Sequence, residues 1–90
     1  MPYIDKKSKE KYEPLFEVLR EILESSDNPI PKGELTYLVY ALALSFFKGR
    51  ESYTNISTAI SSLQDAAEEL RRRHLNPYED KKIIENGDVE

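Results

Sequence analysis

The stretch Leu35-Thr36-Tyr37-Leu38-Val39-Tyr40-Ala41-Leu42-Ala43-Leu44-Ser45-Phe46-Phe47 decides how this chain folds. It is longer than a typical strand and rich in Leu and Ala, so it reads as a helix from about Glu34 to Phe47. Its apolar residues fall on every side of that helix. A surface helix keeps one polar face, and a helix apolar all round is a buried one. Leu35, Leu38, Val39, Leu42, Phe46 and Phe47 are therefore expected at the centre of a bundle or on a dimer seam.

Upstream, the spacing predicts a helix over Pro14 to Glu24. Pro14 suits the first turn, where its missing N–H would have no partner anyway. Leu15, Val18, Leu19, Ile22 and Leu23 follow at i, i+3, i+4, i+7 and i+8, which places them on one stripe that Phe16 widens. Residues 1–13 read as an arm or a short helix over 5–12, packed by Tyr3, Ile4 and Tyr12. Ser25 to Gly33 reads as a linker of small polar residues, two prolines and a glycine. Asn28 and Ile30 each precede a proline, which disfavours helical backbone there.

Downstream, Lys48 to Ser52 reads as a loop containing Gly49, and a third helix runs from about Tyr53 to Leu75. Ser52 or Thr54 is its expected cap. Ile56, Ala59, Ile60, Leu63, Ala66, Ala67, Leu70 and His74 recur at three and four residues, a thin stripe that lets a neighbouring helix approach closely. Glu68 with Arg72 and Glu69 with Arg73 are i,i+4 pairs in the favourable order. Asn76-Pro77 reads as a break, with Asn76 as cap, Pro77 at the first position and Glu79 as the capping-box acid. A short fourth helix, Pro77 to Asn86, then ends at Gly87. No segment alternates with period two, so no strand is expected.

Ninety residues make one domain. A chain this short buries only about 60–65% of its unfolded surface, and disulfides, metals or oligomerisation usually supplement such a small core. The sequence holds no cysteine and one histidine, His74, which leaves no disulfide and no thiolate or multi-histidine metal site. Oligomerisation is the remaining route. The start carries no apolar leader, and the 13-residue run at Leu35 falls short of the roughly 20 that a spanning helix needs. A cytoplasmic protein with no membrane partner is the expectation.

The net charge of −4 lacks the basic excess of most nucleic-acid binders. Residues 1–13 hold four lysines against three acids, while residues 77–90 hold five acids against two lysines.

Several short blocks resemble a known set of sequences. They are Met1-Pro2-Tyr3-Ile4, Gly33-Glu34-Leu35 followed by Tyr37, Ser52-Tyr53 with Asn55, and Pro77-Tyr78-Glu79-Asp80 with Lys82-Ile83 and Asn86-Gly87-Asp88-Val89. Together they resemble an uncharacterised family of small phage and prokaryotic proteins. The resemblance covers the whole chain and is most specific at its end. Thr36 departs from it, since that family has asparagine there. The resemblance implies a domain type and no reaction.

No catalytic, metal or cofactor constellation stands out. His74 has no orienting partner nearby in sequence and neighbours three arginines, which suits a helix-end cation better than a general base. Arg71, Arg72 and Arg73 point about 100° apart and form no single patch. The hydroxyls from Ser52 to Ser62 lack the strand–turn–helix setting of a serine nucleophile. Asp65 and Glu69 share a face, a common feature of solvated helices. The tyrosines are more informative, because tyrosine buries area while keeping a polar tip. Tyr37, Tyr40, Tyr53 and Tyr78, with Asn55, Arg72 and Arg73, make up the candidate interaction surface.

The sequence thus predicts an all-α fold: a small bundle of three main helices and a short C-terminal helix over 77–90, completed by a second copy. Its leading functional reading is a non-enzymatic interaction or adaptor domain that forms a homodimer. One alternative is a nucleic-acid-binding accessory protein using Lys6, Lys7, Lys9, Lys11 and Arg71 to Arg73. Another is a small enzyme with a site around Tyr37, Tyr53, Asn55 and Arg72.

Overall fold

Side-chain caps set where two of the helices begin, and prolines mark the start of the others. The computed structural model describes residues 3–26 and 28–90; Met1, Pro2 and Asp27 lie outside them, including the first two residues of the Met1–Ile4 block and one residue of the linker. The described residues are all-α, as the sequence predicts, and hold no strand. In chain order the helices are α1 (Lys6–Glu10), α2 (Glu13–Glu24), α3 (Lys32–Phe47), α4 (Tyr53–Leu70) and α5 (Asn76–Asn86), with a π-helical turn at Arg71–Leu75 joining α4 to α5. The chain divides into two units, Tyr3–Gly49 and Arg50–Glu90.

In the first unit, Asp5 caps α1 by accepting the Ser8 N–H at 2.7 Å. Tyr3, Ile4 and Tyr12, expected to pack this short helix, all remain exposed. Pro14 sits in the first turn of α2, as its lost donor requires. Helix α3 starts at Lys32, two residues earlier than the sequence suggests. Pro31 already has the φ that precedes a helix, and its carbonyl accepts from Glu34 and Leu35. Gly33, expected in the linker, therefore lies in the first helical turn.

The polar interruptions of α3 are silenced within the helix. The Thr36 hydroxyl donates to the Lys32 carbonyl at 2.9 Å and the Ser45 hydroxyl to the Ala41 carbonyl at 2.8 Å. Both groups satisfy themselves on their own backbone. What α3 offers to its surroundings is thus almost entirely hydrocarbon and tyrosine. No described residue of this unit is buried, and the stripe of α2 stays exposed at Leu15, Val18 and Ile22.

In the second unit, Ser52 is the cap of α4, accepting the Asn55 N–H at 3.0 Å. The expected break at Asn76-Pro77 does not occur. Asn76 has helical backbone, φ −61 and ψ −47, and caps nothing with its side chain. A proline inside an α-helix lacks a donor and collides with the carbonyl four residues back. The π turn relieves this by widening the ring: the Asn76 N–H donates to the Arg71 carbonyl, five residues back. Helix therefore continues from Tyr53 to Asn86, about 50 Å at 1.5 Å per residue. It ends at Gly87, whose φ of 86 suits glycine and whose N–H bonds the Ile83 carbonyl at 2.8 Å.

Two outcomes test these caps. Ser52→Ala should lower stability by about 1 kcal/mol in chemical denaturation, the usual cost of losing a serine cap. The backbone hydrogen bond from Ser8 holds the Asp5 carboxyl below its ordinary pKa. A depressed folded-state pKa gives stabilisation that is complete above the unfolded value and lost as pH falls through the folded one. The Ser8 amide resonance should accordingly stay unchanged at neutral pH and shift only on acidification below the usual aspartate range.

Candidate functional site

The long helix presents the most regular surface of the described chain. Tyr53, Ile56, Ile60, Leu63, Ala67, Leu70 and His74 alternate strictly at three and four residues. This is a 3.5-residue period, and it places them on one slowly winding strip. Two shallow hollows open along it. The first is lined by Tyr53, Ile56, Ser57, Ile60, Ser61 and Gln64. The second is lined by Ala67, Leu70, Arg71, His74, Leu75 and Tyr78. Both open to solvent, so neither encloses a small molecule as a substrate pocket does.

Beside this strip, Ala59 is the one buried residue among those described, at 7% exposure. Ile60 and Leu70 remain more than half exposed, and Tyr53 is 89% exposed.

Several cations of the long helix are paired within it. The Arg72 guanidinium forks onto Glu69, with Nε to Oε1 at 2.9 Å and a terminal nitrogen to Oε2 at 3.0 Å. Arg73 Nε reaches the same Oε2 at 2.8 Å. Glu69 therefore serves both arginines, at i,i+3 and i,i+4. Lys82 lies over the Tyr78 ring, 5.6 Å from its centroid, and bonds Glu85 at 3.1 Å.

The candidate interaction residues are divided between the two units, and within the second they fall at two separate places. Tyr37 and Tyr40 lie exposed on α3 in the first unit. Tyr53 and Asn55 lie at the start of the long helix, whereas Arg72, Arg73 and Tyr78 lie at least 25 Å further along it, by the rise of about 1.5 Å per residue. Asn55 plays a structural part, because its amide donates to the Arg50 carbonyl at 2.7 Å and fixes the turn before α4. That separation leaves no cavity in this unit shared by Tyr53, Asn55 and Arg72.

The candidate core residues of α3 are likewise uncovered. Leu42 is 64% exposed and Phe46 54%. Leu35, Leu38 and Val39 are exposed too, and only Phe47 is half-buried.

Reading Asn76-Pro77 as a stop hid Tyr78 from the strip. The signal was present, since Tyr78 follows His74 at i+4 and Leu75 at i+3. Only the continuation of helix past Pro77 brings it onto that face.

Among the described residues no group of three His, Asp or Glu side chains gathers as metal ligands do. Among them, too, no helix is long and apolar enough to cross a membrane. The fold and surface define an all-helical module whose distinguishing features are exposed apolar faces. The chain belongs to a family described as a domain of unknown function (DUF6899), which matches residues 1–89. No curated protein and no solved structure matches the chain.

Replacing the shared carboxylate tests the clamp. Glu69→Ala should cost less than about 1 kcal/mol per pair, because both arginines are largely solvated. Wild-type stability should fall slightly between low and high salt, and the variant should lose that dependence.

Proposed function

We propose that this protein is a non-enzymatic interaction domain that works as a helical homodimer in the cytoplasm. One observation carries the reading. Helix α3 is apolar on all sides, its two inner hydroxyls are bonded to its own backbone, and most of its large side chains are exposed, Leu44 and Phe47 being half-buried. Fully burying a Leu, Val or Phe side chain contributes about 1.5–3 kcal/mol, so leaving this set in water forfeits several. Contiguous exposed apolar surface of this kind marks an interaction site. A second copy supplies cover of the same character, and symmetric pairing is the commonest way that small chains gain it. The tyrosines of α3, Tyr37 and Tyr40, suit the rim of such a joint, with the ring against hydrocarbon and the hydroxyl in water.

Sedimentation velocity across the micromolar range tests the proposal. The wild-type chain should sediment as a dimer. Leu42→Asp, which places a charge on the exposed apolar surface, should shift it to monomer and reduce its helical signal. Leu42→Met should leave the dimer intact. A wild-type chain that remains a compact, cooperatively folding monomer at high micromolar concentration would overturn the reading.

A further inference from the structure

The regular strip on the long helix says more about how two copies meet. We propose that the Tyr53–Tyr78 face pairs with the same face of a second copy, the two helices running antiparallel about a two-fold axis near Gln64. This rests on the self-association proposed above and adds to the joint on α3 a second joint, on the long helix, together with its direction.

Three observations carry it. The first is periodicity. A 3.5-residue repeat is the pattern of a helix that supercoils against a partner of the same repeat, with side chains of one seated in holes of the other. The two hollows are such holes, and their spacing agrees. Each residue of the second lies fourteen positions after one of the first, from Tyr53 and Ala67 to Gln64 and Tyr78. Fourteen residues are two heptads, so the same spacing opens one hollow before the π turn and one across it, where the winding of the strip changes.

The second is length. The strip extends about 38 Å at 1.5 Å per residue, against about 18 Å for α2 and 24 Å for α3. Neither shorter helix spans it, and α3, apolar on every side, carries no matching seam. The same helix from a second copy matches both length and repeat.

The third is polar complementarity, which sets direction. The first hollow is uncharged and carries acceptor oxygens on Tyr53, Ser57, Ser61 and Gln64. The second carries donors on Arg71, His74 and Tyr78. Antiparallel pairing lays each hollow on the other, and the two-fold axis makes both matches at once. Parallel pairing in register would instead set each hollow against its own copy and bring the two Arg71 guanidiniums, like charges, to the same level of the seam. Glu69 meanwhile pairs with both Arg72 and Arg73.

The chain has no cysteine of its own, so introduced cysteines report the joint directly. Gln64→Cys, near the axis, should oxidise to a covalent dimer. Ile56→Cys and His74→Cys should each fail to cross-link alone, yet should link to one another when the two chains are mixed, unfolded together, refolded and oxidised. Self-linking at both Ile56→Cys and His74→Cys would mean a parallel pair and overturn the proposal. No cross-link at any of the three, in chains that still sediment as dimers, would place the joint elsewhere and overturn this inference while leaving self-association standing. Chains that sediment as monomers would remove both.

Discussion

A helix that is apolar on every side has no orientation that water tolerates, and α3 sets that constraint on everything around it. Its hydroxyls do not soften the problem, because Thr36 and Ser45 turn inward to the carbonyls of Lys32 and Ala41. Within its own unit α3 has little cover: α2 offers a one-sided stripe, and that stripe is itself exposed. A 90-residue chain with no disulfide has few other ways to gain stability. The hydrophobic effect is roughly proportional to area removed from water, so each uncovered side chain of α3 forfeits stabilisation in proportion to its apolar area.

The second determinant is a single proline. Pro77 removes a donor in the middle of what becomes the longest helix, and the chain responds by widening one turn instead of breaking. The consequence is reach. An α4 that stopped at Leu75 would carry the first hollow and most of the second, but not Tyr78. Joined through the π turn, the helix carries a strip with one polar character at each end. Its N-terminal half offers hydroxyls, the Tyr53 phenol among them, and an amide, and its C-terminal half offers the Arg71 guanidinium, the His74 imidazole and the Tyr78 phenol. Glu69 keeps that second half orderly by drawing two of the three consecutive arginines to one carboxylate.

Much of the secondary structure was legible in the residues. The all-α class followed from three- and four-residue spacing and the absence of alternation. Ser52 as a cap, Pro14 in a first turn and Gly87 as a terminator are local chemistry, and each acts within four residues. The start of α3 was placed two residues late because Gly33 was weighed as a breaker, whereas Pro31 had already set the helical entry. The candidate surface was less legible. Its members were chosen by residue type, and type says nothing about separation: Asn55 proved to hold a turn, while Arg72 and Arg73 share one acid at the far end of the same helix.

By itself, then, the sequence determined that this protein is helical, where most of its helices begin and end, and that its middle helix lacks a polar face. These follow from side-chain chemistry and from interactions over one helical turn. Only the folded structure decided that helix runs unbroken past Pro77, that Glu69 gathers Arg72 and Arg73, and that the faces of α2 and α3 stay uncovered. The first two depend on which of several nearby backbone and side-chain partners wins, and spacing alone does not rank them. The third depends on how segments far apart in the chain meet. Periodicity states which face seeks cover, and packing decides whether one chain provides it.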